Sequence, residues 1–289
     1  MLAFSACVAG SFSLGGLVAN DIAPDVMTVL RLWLAAAVLG GVAWFTTGLP
    51  GPAFWAAFRA PWRYLLLGGL YAVYFVLMFE GLKTAPPVSA AAVFTMTPLM
   101  AAGFGWLMLR QKLTGRMVLA LLIGAAGAVW VIFRADLAAV LAFQIGPGER
   151  IYFVGCIAHA IYAPLVRRLN RGETALLSSL GTVIAGAALL TLWTGRDLWA
   201  VDWAALPAMV WITLAYLTVF ATAASFVLLQ FASLRLPAAK VMAYTYLVPS
   251  WVILWELGLG GALPVVWVLA GVALTVLALV LLLRDEGPG

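Results

Sequence analysis

Charge is scarce in this chain. Aspartate, glutamate, lysine and arginine make up 9% of its 289 residues, where a soluble domain carries about 25%. So little polar surface cannot cover a water-soluble globule, and with 65% hydrophobic residues the expected solvent is lipid. Histidine occurs once and cysteine twice, at Cys7 and Cys156, each inside an apolar run and without CxxC spacing. Neither a metal site nor a disulfide framework can be read from so few ligands, and no cofactor is expected. No basic residue precedes Arg31, so the charged n-region of a cleavable signal peptide is missing. The first apolar run begins at Met1 without flanking charge, which points to a natural start slightly upstream. An intramembrane enzyme is disfavoured, because there is no HExxH motif, no pair of mid-membrane aspartates and no hydroxyl beside an evident base. The net charge of +5 does not indicate nucleic acid, since the basic residues cluster in short loops between apolar runs.

What is present is a succession of long apolar runs. A spanning helix needs about 20 mostly apolar residues, and ten segments qualify: 2–19, 28–48, 62–82, 87–109, 116–133, 150–168, 175–194, 207–231, 237–257 and 263–283. They predict an all-α integral membrane protein with ten transmembrane helices. Runs this long without strict alternation argue against a β-barrel. The longest connection, 134–149, holds the apolar piece DLAAVLAFQIG, too short to span and read as interfacial or re-entrant. With both termini in the cytoplasm, that side holds Arg59, Arg63, Arg110, Lys112, Arg116, Arg167, Arg168, Arg171, Arg235, Lys240 and Arg284. The other side holds Arg31, Lys83, Arg134, Arg150 and Arg196. That bias of eleven to five favours cytoplasmic termini.

The prolines reveal a repeat. Residues 83–100 read KTAPPVSAAAVFTMTPLM and residues 234–251 read LRLPAAKVMAYTYLVPSW. Pro86 and Pro98 are 12 apart, as are Pro237 and Pro249, and each pair is offset from the other by 151 residues. LMLRQKL (107–113) is answered by LGLGGAL (257–263), so 1–134 and 135–289 read as two copies of a five-helix unit forming one transport unit. Five is odd, so the second copy enters the membrane inverted. The turn after the fourth span carries Arg110, Lys112 and Arg116, and its counterpart carries no basic residue, as inversion requires. Inverted repeats are the architecture of alternating-access transporters. Pro86 and Pro237 open helices, where a missing N–H costs little. Pro98 and Pro249 fall inside helices, where a proline costs roughly 3 kcal/mol, and are expected to bend them as hinges.

AGSFSLGGLVA in the first span, TVLRLWLAAAVL in the second, AAVFTMTPLMAAGFGWLMLRQKL in the fourth and Val166-Arg167-Arg168 closing the sixth resemble the drug/metabolite transporter (DMT) superfamily, EamA type. Within it the chain looks most similar to the aromatic amino acid exporters called YddG. The resemblance covers nearly the whole chain. It implies a multi-pass protein of the bacterial inner membrane that exports a small neutral or zwitterionic metabolite, most readily an amino acid, aromatic or otherwise neutral. The alternative is efflux of a drug or other small metabolite. A monomer with no partner beyond substrate and lipid bilayer is expected. Gln111 and Gly261 depart from the family pattern, where an acidic residue is common, and His159 stands where a tryptophan is common.

Candidate cavity residues follow from the 151-residue alignment. Tyr71, Tyr74, Phe75 and Met78 share one face of the third span, and their counterparts in the eighth include Thr222, Ser225 and Phe226. The fourth span offers Phe94, Thr95 and Thr97, and the ninth offers Tyr244, Tyr246 and Trp251. In the resembled family these spans, with the first and sixth, line the central cavity. His159 lies mid-span, three residues before Tyr162. An ionisable group at that depth is a functional candidate, and a neutral imidazole bonded to a neighbouring helix is the competing reading. Arg31, near the start of its span, is read as pairing with Asp25 or snorkelling to the interface, and Lys240 and Glu256 as interfacial anchors. No Asp or Glu lies mid-span, so export down a gradient stands beside proton antiport.

Overall fold

The computed structural model describes residues 1–48, 51, 54–55, 58–133, 135–141, 145–262 and 264–284. All of its regular structure is helical among these residues. Arg134, placed above by charge, and part of the 136–146 piece lie outside them.

Helix α1 covers Leu2–Val18 and α2 covers Pro24–Thr47. Proline in the first turn and Asp25 beside it suit the start of α2. Gly48, at φ 66°, ends it by bonding back to the Trp44 carbonyl. Helix α3 is Trp62–Leu82, and the next run divides into α4, Pro87–Phe94, and α5, Thr97–Leu109. Helix α6, Gly115–Ile132, opens on a Thr114 cap that accepts from the Met117 amide at 3.1 Å. Then come the short α7, Leu137–Leu141, and the long α8, Pro147–Leu169, which ends in Arg167 and Arg168. Helix α9 is Ala175–Ala200. Helix α10, Ala208–Thr218, runs through a π-helical turn at Val219–Ala224 into α11, Ser225–Ser233. Helix α12, Ala238–Ala243, runs through a 3-10 turn at Tyr244–Leu247 into α13, Val248–Gly258, and α14 is Val266–Leu283.

Among the described residues, seven stretches are long and apolar enough to cross a membrane: Pro24–Thr47, Trp62–Leu82, Pro87–Leu109, Gly115–Ile132, Ala175–Ala200, Ala208–Ser233 and Val266–Leu283. The expected first span is a helix of 17 residues, the sixth carries charge at both ends, and the ninth is interrupted by its 3-10 turn. The outer surface is apolar. Phe45, Leu192, Trp193 and Trp199 are all more than 80% exposed. In water such a surface would drive aggregation, whereas against acyl chains it needs no cover, with the tryptophans suited to the headgroup level. This is a multi-pass membrane protein.

Helix packing inside lipid rests on close approach. α3 runs along α8, with Gly81 against Gly148, and crosses α9 where Gly68 meets Gly186. α6 pairs with α14 at Gly127 and Gly271. α2 lies on α9, and α1 packs on α13 and on the α10–α11 stretch.

The proline-marked helices are interrupted rather than bent in mid-course, which changes the energetic reading of Pro98 and Pro249. The break at Thr95–Met96 and the 3-10 turn at Tyr244–Leu247 precede them, so both prolines sit in the first turn of a restarted helix. There no helical N–H is owed, and the cost expected for a mid-helix proline is largely avoided. Thr97 donates to the Phe94 carbonyl at 2.7 Å, a group that Pro98, lacking an N–H, cannot satisfy, and Thr95 donates to the Ala92 carbonyl at 2.6 Å. The two breaks touch, with Thr97 Oγ1 3.2 Å from Thr245 Oγ1.

One end of the bundle is tied by ions. Arg63, at the start of α3, donates to Glu173 at 2.6 Å and to the Leu169 carbonyl at the end of α8 at 2.7 Å. Burial pushes the Glu173 carboxyl up, but the Arg63 guanidinium and the Arg171 amide outweigh it and hold it below its ordinary 4.5. A lowered carboxyl contributes stability above its unfolded value and loses it as pH falls through the folded one. Arg63→Ala is therefore expected to cost about 2–3 kcal/mol at neutral pH, discounted from a fully buried pair for the loop position of Glu173. The part of that loss owed to the carboxylate should fade in melting curves as pH falls through the lowered Glu173 value, while the part owed to the Leu169 carbonyl persists.

Candidate functional site

The centre of the bundle is a cluster of aromatic rings drawn from five helices. Tyr71, Tyr74 and Phe75 come from α3, Phe94 from α4, Tyr152, His159 and Tyr162 from α8, Phe226 from α11 and Phe12 from α1, and each is at most 4% exposed. The His159 ring stacks on Tyr74 at 4.4 Å and 30°, and meets Tyr71 edge-on at 5.3 Å. Tyr71 also meets Tyr162 at 4.5 Å and Phe226 at 4.0 Å between centroids. Phe94 lies 5.8 Å from Tyr74. Spacing on α3 and α8 explains this convergence. Positions 71, 74, 75 and 78 repeat as i, i+3, i+4, i+7, and 152, 159 and 162 share one face of α8. Met78 is buried on the same α3 face.

The polar groups of the core fall into two kinds. Most are satisfied. The Tyr74 and Tyr152 hydroxyls lie 3.2 Å apart, and Gln230 donates to the Tyr162 hydroxyl at 2.7 Å while accepting from Ser178 at 3.2 Å. Ser225 bonds back to the Ala221 carbonyl at 2.8 Å. Others have no partner, among them the Ser13, Ser179, Thr218 and Ser233 hydroxyls, and two such groups belong with the rings. Neither ring nitrogen of His159 has a hydrogen-bond partner, although a neutral imidazole offers one donor and one acceptor. The competing expectation of a bond to a neighbouring helix is thus not met. Arg31 is the other, with its Nη1 unpartnered.

Arg31 departs from its sequence reading. It was expected at the interface or on Asp25. Asp25 instead accepts from the Val26 amide and Thr194. Arg31 is fully buried, because α2 begins at Pro24 and carries it about 10 Å into the bundle. Its Nε and Nη2 donate to Thr222 Oγ1 at 3.0 and 2.8 Å, and its guanidinium carbon lies 3.7 Å from the Phe75 ring centroid. Thr222 is presented by the π-helical turn.

The other expected residues lie apart from the rings. Thr97 belongs to the contact between the two helix breaks. Tyr244 and Tyr246 pack in a second cluster with α6 and α14, where the Tyr246 hydroxyl faces the Leu121 carbonyl. Trp251 donates from Nε1 to Ser5 Oγ at 3.2 Å on α1. Phe12, Tyr152 and Arg31 are the central residues the sequence reading missed, and Tyr152 alone carried a signal, seven residues before His159. Glu149, buried at the first turn of α8 and accepting from Ser89 at 2.7 Å, was also passed over.

An open cavity of about 510 Å³ lies at the Lys83 end of α3, lined by Ser13, Asn20, Lys83, Thr84, Glu256 and Gly261 among others. Its floor, Ser13, adjoins Phe12, whose ring meets Phe94 and Tyr152 at 5.9 and 5.8 Å. The opposite end of α3, roughly 30 Å away, carries the Arg63–Glu173 pair. Near that pair Arg168 reaches the Met108 carbonyl of α5 at 3.5 Å, and after α5 Gln111 accepts from the Ala238 amide at 3.1 Å, capping α12. Among the described residues no group of three or more His, Cys, Asp or Glu is placed to hold a metal ion. The arrangement is a polar mouth beside a buried aromatic core in which His159 and Arg31 keep unused hydrogen-bonding groups.

The EamA-like transporter family matches residues 1–133 and 147–284. The uncharacterized transporter YyaM of Bacillus subtilis is 26% identical over 254 residues, covering 86% of this chain and 81% of that one. The aromatic amino acid exporter YddG of Ancylobacter novellus is 27% identical over 173 residues, 59% of this chain and 58% of its own length. A crystal structure at 22% identity superposes with a TM-score of 0.73 over 97% of this chain and 94% of that one, which shows a shared fold. A membrane-embedded helical bundle without an evident catalytic group, matched along almost all of its length, belongs to the EamA-like transporter family.

Proposed function

We propose that this transporter exports neutral or zwitterionic amino acids, aromatic ones foremost, by alternating access around the aromatic core. The observation that carries the reading is the buried ring cluster with unpartnered His159 within it and Arg31 Nη1 beside it. Aromatic faces receive apolar side chains, and unused donors and acceptors receive the charged ends of a small zwitterion. The name of the YddG relative points the same way.

In this reading ten helices cross the bacterial inner membrane with both termini cytoplasmic, and residues 1–134 and 135–289 are inverted halves of one monomeric unit. Several features support it. The helix breaks before Pro98 and Pro249 are equivalent under the 151-residue offset, and the two stretches matching the family fall one in each half. The packing of α3 on α8 is answered by that of α1 on α10 and α11, as a two-fold relation between halves requires. The mouth at Lys83 then faces outward, and the Arg63–Glu173 pair with the Gln111 cap closes the cytoplasmic side. Rocking opens one side as the other closes, with the contact between Thr97 and Thr245 as a joint and Pro98 and Pro249 marking the hinges.

The test is uptake of a labelled amino-acid panel into proteoliposomes, with and without an imposed pH gradient. Saturable uptake of phenylalanine, tyrosine or tryptophan is expected. Transport of none of the panel by folded protein removes the reading, and indifference to the gradient removes proton antiport.

A further inference from the structure

Arg31 is the buried cation of the core whose hydrogen bonding the packing leaves incomplete. It is fully buried, and among the described residues no carboxylate pairs with it. Taking a guanidinium out of water is costly unless a counter-charge and hydrogen bonds replace the lost solvent. Here the replacement is partial. Two of its nitrogens share a single neutral hydroxyl, Thr222 Oγ1, the Ala221 carbonyl is 3.4 Å from Nη2, and Nη1 bonds nothing. The Phe75 face below it adds cation–π attraction without neutralising it. A structural arginine of this depth would be expected to carry an acid on an adjacent helix. The nearest acid on its own helix, Asp25, is occupied elsewhere.

The position of Arg31 matters as much as its missing partner. Phe75 under the guanidinium touches Tyr71 and Tyr74 at 4.9 and 5.1 Å, and both of those touch His159. The unpaired cation thus borders the aromatic cluster through Phe75, and the unpartnered imidazole touches the same two tyrosines. Thr222 stands on a π-helical turn, a local register shift that is often found at functional sites.

We propose that Arg31 is the carboxylate-binding residue of the transport site, so that the substrates are small carboxylates bearing an apolar or aromatic side chain. The inference rests on the reading of this core as the transport site and adds its selectivity. A carboxylate entering the core takes Nη1 and Nη2 together, as the planar fork of arginine favours. In doing so it displaces Thr222, and the π-helical turn of α10–α11 is released from α2. Binding is thereby linked to the contact between helices of the two proposed halves. The side chain of the substrate lies among Tyr71, Tyr74 and Phe94, and an α-ammonium group faces the ring faces and the acceptor nitrogen of His159.

The test compares 3-phenylpropionate, which keeps the carboxylate, with phenethylamine, which keeps only the amine. The readouts are thermal stabilisation of purified protein and competition against labelled phenylalanine uptake. Wild type is expected to gain several degrees in melting temperature with 3-phenylpropionate and almost none with phenethylamine. Arg31→Gln is expected to lose that preference by roughly 30-fold or more in apparent affinity, and Arg31→Lys to recover part of it. Thr222→Val, which removes the competing hydroxyl and leaves Arg31 in place, should retain the preference. A purely structural role would weaken both ligands alike. Equal stabilisation by the two ligands in wild type, or an unchanged preference in folded Arg31→Gln, overturns the proposal. If wild type transports no amino acid yet still selects 3-phenylpropionate through Arg31, the exporter reading fails and the carboxylate site stands.

Discussion

Tyr74→Ala is expected to lower phenylalanine uptake at least tenfold, while Tyr244→Ala changes it by less than about twofold. The contrast follows from what the two rings touch. Tyr74 meets Tyr71, Phe75, Phe94, Tyr152 and His159, five rings of the central cluster. Each aromatic pair is worth about 0.5–1.5 kcal/mol beyond buried area, and tenfold corresponds to about 1.4 kcal/mol, so losing two or three contacts to a bound ring suffices. Tyr244 packs instead with α6 and α14, away from those rings. Because a buried aromatic truncation can also cost about 3–5 kcal/mol of stability, Tyr74→Phe is the control. It keeps the ring and removes only the hydroxyl contact with Tyr152, and should transport within about threefold of wild type. Uptake normalised to monodisperse protein separates the effects. Equal defects in Tyr74→Ala and Tyr244→Ala would place the substrate outside the cluster.

Gly68→Leu is expected to be strongly destabilising. A Cβ at residue 68 would meet backbone, namely the Gly186 amide and, at 2.6 Å, the Thr182 carbonyl. Backbone of a packed helix cannot rotate aside as a side chain can, so α3 must separate from α9. Overpacking of ordinary cores costs about 1–3 kcal/mol, and a clash with backbone belongs at or above the upper end. Helix α3 also carries Tyr71, Tyr74 and Phe75, so the same displacement should abolish uptake. Gly40, around which an added Cβ finds open space, is the matched control, and Gly40→Ala should leave melting temperature and uptake unchanged. A folded Gly68→Leu protein with normal melting would show that the α3–α9 crossing is looser than drawn.

Much of the architecture was legible because it follows from solvent. Long apolar runs are what lipid demands, and the 62–82 run coincides with α3, Trp62–Leu82. The paired prolines also announced where helices α4–α5 and α12–α13 would be interrupted, because a proline can neither donate nor tolerate the preceding turn. What they did not announce was the form. The helix restarts just ahead of each proline instead of bending around it.

The site was less legible, for a physical reason. Composition says which residues prefer burial, not which neighbours they meet. The α3 face emerged from its helical spacing. Tyr244 did not follow its register, since the 3-10 turn that begins there advances about 3.0 residues per turn rather than 3.6. Arg31 misled because its expected helix began at 28, three residues before it, whereas the actual start at Pro24 sinks it into the bundle. Its partner Thr222 lies 191 residues away on a π-helical turn that no periodicity predicts. Phe12 shares a helical face with Phe4 and Val8, a pattern that marks burial but not which rings of other helices it meets.

The central claim is that the aromatic core is alternately exposed to the two sides of the membrane, carrying an amino acid with it. Counterflow tests this most directly. Proteoliposomes preloaded with unlabelled phenylalanine are diluted into a trace of labelled phenylalanine. An alternating-access carrier produces a transient accumulation of label above its equilibrium level, and wild type is expected to show that overshoot. A monotonic approach to equilibrium, or no protein-dependent entry at all, would contradict the account.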